Sequence, residues 1–286
     1  MSRAPARCIV CAVPRVPLFD AGGISVVGCP GCGLQWRSQF PDDGELTSLY
    51  GEDYLERWGI DGPERPAQIR QMKEATYRAF LDEIAPYKRS GRLLDVGCAL
   101  GFLLGVARAR GFDAYGVDLN ESAVRAAQKE FGKSVYHGPL DEQPFTGIAF
   151  DVITLIDVFE HVPDPTDLLD QLGARVSASG IVVAVLPNAS SFVRRVLGRR
   201  WPHYAPEHLY YWSASNLRRF LEARGWRVRL LRTGVRKTFA AHYLHSYATR
   251  MGRRPIPGVG RLGGLRLRIP TGEMLVIAER VRADGR

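Results

Sequence analysis

An α/β fold built on a parallel sheet, with a small metal-binding segment ahead of it, is what this sequence predicts on three observations. From about residue 91 onward, short apolar runs alternate with amphipathic stretches, the pattern of repeated βα units. The first of these units turns on Gly97 and Gly101, and the strand after it ends on an acidic residue, Asp118. Near the N-terminus, four cysteines stand in two Cys-x-x-Cys pairs.

The cysteines come first in the chain. Cys8-x-x-Cys11 and Cys29-x-x-Cys32 are separated by 17 residues, and Gly28, Pro30, Gly31 and Gly33 supply turn chemistry around the second pair. Each pair can chelate one tetrahedral ion from a tight knuckle, so residues 1–40 are expected to form a zinc-ribbon-like segment. Four thiolates leave no open coordination position, which makes that zinc structural, and metal binding replaces the core that so few residues cannot supply. Thiols held for zinc rather than paired as disulfides fit a reducing compartment. No apolar run approaches the length that spans a bilayer, and the opening Met-Ser-Arg-Ala-Pro-Ala-Arg lacks a signal-peptide core. The expected location is the cytoplasm.

Residues 41–90 are expected to be a helical connector. Asp42–Glu45 precedes a short helix bearing Leu46, Leu49 and Tyr50, with a second aromatic at Tyr54. Ile69, Met72, Thr76, Phe80, Leu81 and Ile84 recur at a helical period between Pro66 and Pro86, which predicts a helix packed beside the sheet.

Residues 91–286 are expected to form the main domain. Arg92–Val96 reads as a buried strand and Phe102–Arg110 as the helix after the glycine turn. Ala114–Val117 is the second strand. Asp118 at its tip lies about twenty positions after the turn, where a carboxylate accepts hydrogen bonds from ribose hydroxyls. Asn120 caps a helix that runs to about Phe131, because Asn at that position accepts from backbone N–H groups. A strand at Ser134–His137, a loop at Gly138–Glu142, a strand at Phe150–Ile156, a helix at Thr166–Val176 and a strand at Gly180–Leu186 continue the alternation. An insert at about 188–212 breaks it. Ser213 then caps a helix, Ala214–Arg224, and two closing strands are expected at Trp226–Leu231 and Glu273–Ala278.

The turn reads Asp95-x-Gly97-Cys98-Ala99-x-Gly101, not Gly-x-Gly-x-x-Gly. A carboxylate at Asp95 would repel a pyrophosphate but suits a ligand bearing an amine and a sulfonium cation. This segment resembles motif I of the class I S-adenosylmethionine-dependent methyltransferases. The run Asp157-Val158-Phe159-Glu160-His161-Val162-Pro163-Asp164-Pro165 is similar to the segment that follows their fourth strand. Pro206-Glu207-His208-Leu209-Tyr210-Tyr211-Trp212-Ser213 resembles a segment of small-molecule members that carry a zinc-ribbon leader.

The resemblance implies a Rossmann-like seven-stranded sheet and S-adenosylmethionine as cofactor. It implies cofactor contacts at Asp95, Gly97, Cys98, Gly101, Asp118, Leu119, Leu140 and Asp157, with Tyr54 as a lid. Pro139 departs from the Asp or Thr that members often carry there, which moves the adenine contact onto Leu140. Cys98 is itself more simply a small packing residue.

Methyl transfer to a hydroxyl or an acidic carbon needs a base. His208, beside Glu207 and Tyr210, is the first candidate, His203 the second and His161 the third. No catalytic metal is expected, because Pro187-Asn188-Ala189-Ser190 after the fifth strand holds no carboxylate cluster.

Charge is uneven along the chain. Residues 1–186 hold 18 Lys and Arg against 25 Asp and Glu, whereas residues 187–286 hold 21 against 5. The expected acceptor is a small molecule such as a sugar nucleotide or a natural-product intermediate, methylated at oxygen, nitrogen or carbon; an anionic one would place arginines on its charge and the aromatics of the insert over its ring. The alternatives are an RNA methyltransferase gripping phosphates with the ribbon and the basic third, and a catalytically silent cofactor-binding module. Against RNA, residues 1–40 carry four arginines and no stacking run.

Overall fold

A computed structural model of the chain describes residues 4–42, 44–45, 65–142, 144–240 and 265–281. Its centre is a seven-stranded sheet. In chain order the elements leading into it are β1 (Val16–Ala21), β2 (Ile24–Gly28), β3 (Gln35–Arg37), α1 (Arg65–Ile84), β4 (Gly91–Val96), α2 (Phe102–Arg108), β5 (Phe112–Asp118) and α3 (Glu121–Phe131). They are followed by β6 (Val135–His137), β7 (Phe150–Ile156), α4 (Pro165–Arg175), β8 (Val176–Pro187), α5 (Phe192–Leu197), β9 (Tyr210–Tyr211) and α6 (Ala214–Glu222). The chain closes with β10 (Trp226–Thr233), β11 (Arg236–Ala240), β12 (Arg266–Pro270) and β13 (Glu273–Arg280).

Strand order across the large sheet is β10-β13-β8-β7-β4-β5-β6. The order reverses between β4 and β7, the place where open α/β sheets bind ligands at the carboxyl ends of their strands. Only β13 runs against the others; β10 pairs antiparallel with β13 and so lies parallel to the rest. The sequence expectation of two antiparallel closing strands is corrected to one.

The apolar runs behave as strands buried on both faces. Leu93, Leu94, Val152, Ile153, Leu155, Val185 and Leu186 are fully buried. On one face they meet Phe80, Leu81 and Ile84 of α1 together with Leu103 and Leu104 of α2. On the other they meet α4, α6 and the N-terminal segment. Caps fall where the side chains dictate. Asn120 Oδ1 accepts from Ala123 N at 2.8 Å, and Ser213 and Asn216 form a reciprocal capping box at the start of α6.

The N-terminal segment is joined to the main domain. β1, β2 and β3 form a sheet whose fourth strand is β9, from the insert after β8. Trp36 of β3, fully buried, packs in the same core as Leu94 and Leu155 of the large sheet. The insert's own aromatics also turn inward: Trp201, Tyr204, Tyr210, Tyr211 and Trp212 are all buried. They pack on one another and on Phe19 and Phe159 in edge-to-face and tilted pairs.

Candidate functional site

Three carboxylates stand at the carboxyl ends of neighbouring strands: Asp95 near the end of β4, Asp118 ending β5, and Asp157 just past β7. Asp118 Oδ2 accepts from the backbone N–H of Ala99 at 2.7 Å, and Oδ1 from that of Asn120 at 2.8 Å. The glycine turn and the second strand's acid are thereby tied together.

The glycines serve the turn itself. Gly97 and Gly101 have φ of 77° and 73°, and a Cβ would meet Val158 Cγ2 at 2.4 Å in one case and the Phe131 ring at 2.6 Å in the other. Close packing of side chains on the backbone, more than approach of a ligand, is what demands glycine here.

Asp95 is buried and accepts from Thr154 Oγ1 at 2.7 Å. Burial raises its carboxyl to about 7, with the Asp118 charge adding to the rise and the Thr154 hydroxyl opposing it. A folded-state value above the unfolded one means the native apo chain holds an extra proton up to about pH 7. A cationic ligand beside Asp95 would displace that proton. Affinity for S-adenosylmethionine is therefore expected to rise between about pH 6 and about pH 8, with proton release seen as a buffer-dependent binding enthalpy. Calorimetry giving a pH-independent affinity and no proton release would remove Asp95 from the site.

Asp157 holds an unusual backbone, with φ of 58°. Both its oxygens accept from Lys237 Nζ, at 2.8 and 2.7 Å, and Lys237 also reaches Glu273 at 2.7 Å. Burial alone would push the Asp157 carboxyl up, but the Lys237 ammonium, and after it Lys73, hold it below the ordinary range. Lys237, Glu273, Lys73 and Thr154 were not anticipated from the sequence. One signal was present: Lys237 is the single lysine among the 21 basic residues of 187–286.

The side chains of two expected cofactor residues turn inward. The Cys98 thiol is buried beneath the turn, at the spot a Cβ on Gly116 would meet at 2.6 Å. Leu140 sends its side chain into the core and its carbonyl accepts from Arg175 Nη2. Leu119 is largely exposed at the mouth of the turn. Tyr54 lies outside the described residues.

The three histidines gather into one cluster across the insert and the loop after β7. His161 and His208 meet edge to face with centroids 4.7 Å apart, and His203 stacks on His208 at 5.5 Å. Burial sets all three below the ordinary histidine value, so each is neutral near pH 7. Their access differs. His208 is buried behind the other two, whereas His203 and His161 keep part of their surface. His203 stands near Lys237 and Asp157.

Four arginines of the C-terminal third pair with carboxylates: Arg227 and Arg229 with Glu279, Arg218 with Glu222 and Arg232 with Glu83.

The four N-terminal cysteines converge, with Cys8 Sγ 3.5 Å from Cys32 Sγ and Cys11 Sγ 3.3 Å from Cys29 Sγ. All four sulfurs lie within 4.8 Å of one another. Tetrahedral zinc with bonds of about 2.3 Å would set sulfurs about 3.8 Å apart, so the donor set fits that ion.

Beside this geometry stands the sequence evidence. The profile of a family described as "Methyltransferase domain" matches residues 68–231, more than half of the chain. The chain belongs to this methyltransferase family. Curated relatives include the ubiquinone biosynthesis O-methyltransferase of Thiobacillus denitrificans, 31% identical over 118 residues, which are 38% of this chain and 51% of that protein. That of Aromatoleum aromaticum is 27% identical over 191 residues, covering 56% of this chain and 82% of that protein. The chain spans about half the length of several such relatives.

Among solved structures, magnesium protoporphyrin IX methyltransferase of Synechocystis PCC 6803 with bound SAH has a TM-score of 0.54 at 18% identity, over 84% of this chain and all of that one. A SAM-dependent methyltransferase of Archaeoglobus fulgidus has a TM-score of 0.52 at 20% identity, over 76% of this chain and 100% of that one. These methyltransferases share the fold. Among the described residues no helix is long and apolar enough to cross a membrane.

Proposed function

We propose that this chain transfers a methyl group from S-adenosylmethionine to a small-molecule acceptor, with the ribbon held by one structural zinc at Cys8, Cys11, Cys29 and Cys32. The observation that carries the reading is the row of three carboxylates, Asp95, Asp118 and Asp157, at the switch point of the sheet. Such a row suits a cation beside a diol, and the family and the names of the curated relatives agree with it. Bound, the cofactor supplies a methyl carbon already activated by a sulfonium, so that the carbon–sulfur bond breaks to a neutral thioether as the acceptor attacks.

The chain's part is to align and to take a proton. Asp118 accepts from the ribose hydroxyls, and Asp95 lies toward the cofactor's positive end. The Asp157–Lys237–Glu273 chain fixes the backbone after β7 and presents a charged wall to the cofactor's amino-acid portion. Among the histidines, access reorders the candidates: His203 accepts the acceptor's proton, and His208 stands behind it.

Arg227, Arg229 and Arg232 pair with local carboxylates, which takes those three out of a basic track for RNA.

The direct test is methyl transfer with the Asp118→Ala variant alongside. The parent chain is expected to bind S-adenosylmethionine, and the variant to lose on the order of 1.5–3 kcal/mol, about ten- to a hundredfold in affinity. A thermal melt checks the turn that Asp118 ties to Ala99 and Asn120. Unchanged affinity in a folded variant overturns the ribose assignment.

A further inference from the structure

A second set of possible metal donors comes from the loop after β7 and from the insert.

Glu160 is 1% exposed, and neither of its carboxylate oxygens has a hydrogen-bond partner. An isolated carboxylate so placed is costly unless a proton or a cation accompanies it. The nearest candidate partner, His161 Nε2, stands at 3.9 Å from Glu160 Oε1, beyond hydrogen-bond range. His208 Nδ1 is also buried without a partner.

One donor atom each from Glu160, His161 and His208 lies within 4.8 Å of the others. Donors bound at about 2.0–2.2 Å on one ion sit roughly 3–4 Å apart, so small side-chain rotations close the set. The backbone is already in register for it. Leu209 N donates to the Glu160 carbonyl at 2.9 Å, which pins the residue after His208 onto the loop that carries the other two donors.

We propose that Glu160, His161 and His208 form a divalent transition-metal site, distinct from the cysteine cluster. Two imidazoles and one carboxylate are a nitrogen-and-oxygen donor set suited to zinc, cobalt(II) or iron(II), not to a thiolate-seeking ion. Three protein ligands leave at least one position open, in contrast to the four-thiolate ribbon. His203 stacks on His208, one of the three ligands. An acceptor oxygen bound at the open position would give up its proton more readily. That use rests on the methyltransferase reading above; the existence of the site does not.

Cobalt(II) added to the full-length chain tests the site, because thiolate-bound cobalt shows sulfur-to-metal charge-transfer absorption and nitrogen/oxygen-bound cobalt does not. Equilibrium dialysis with metal analysis is expected to find one cobalt per chain more than the charge-transfer band accounts for. Glu160→Gln, an isosteric change that removes the buried charge, and His208→Asn are each expected to abolish that extra cobalt and to leave the band unchanged. Methyl transfer and cofactor affinity, measured on the same preparations, report separately on the methyltransferase reading. Cobalt binding that saturates with the thiolate signal, or extra cobalt that persists in both variants, overturns the proposal.

Discussion

Replacing His203 by alanine is expected to cost about a hundredfold or more in turnover while leaving cofactor affinity within about twofold. The expectation follows from where the ring stands. It keeps part of its surface and lies near Lys237 and Asp157 at the carboxyl end of β7. Burial, with the Lys237 charge adding to it, lowers the ring to about 4, so it is neutral and able to accept a proton at any pH near 7. Alanine removes the proton acceptor but touches none of Asp95, Asp118 or the glycine turn. Single-turnover rates with saturating cofactor are the measurement. Near-parent rates in His203→Ala exclude it as the base and return the role to His208 or His161.

The strands and the turn were legible because local chemistry and tertiary structure agree there. Leu93 to Val96 is apolar enough to be buried on both faces, and Gly97 and Gly101 sit where φ is positive. Asn120 and Ser213 cap helices for the reason their side chains suggest. Pattern alone could not show direction. β10 and β13 both read as closing strands, but only pairing with β8 decides which of them runs backward.

The polar machinery behind the turn was less legible, because it is assembled across long sequence separations. Lys237 meets Asp157 eighty positions away, and Thr154 meets Asp95 at fifty-nine. Periodicity carries no information about such pairs. The histidines were named from the sequence, yet their order of access depends on how the insert folds over the loop after β7. The aromatics of the insert looked suited to an acceptor ring, but large apolar groups next to a small ribbon are recruited into its core first.

Loss of zinc from the ribbon is expected to destabilise the whole chain and to reach turnover before cofactor affinity. Structural zinc contributes on the order of 10 kcal/mol to isolated finger-sized units. Here the ribbon also lends β3 to the sheet that holds β9, and Trp36 to the main core. If about 4 kcal/mol of that is felt by the domain, Tm falls by about 10 °C. The site responds in a set order. β9 starts two residues after His208, so a loosened ribbon frees the insert and its histidines, whereas the β4 and β5 turn that holds Asp95 and Asp118 keeps its own packing against α1, α2 and α3. Elemental analysis of protein purified without chelator should find the zinc. In Cys29→Ser, Tm and turnover should both drop while calorimetry still finds cofactor binding within a few-fold of the parent. A zinc-free parent chain, or a Cys29→Ser variant that melts and turns over as the parent does, would show that the four sulfurs meet for packing alone and that the acceptor side stands without them.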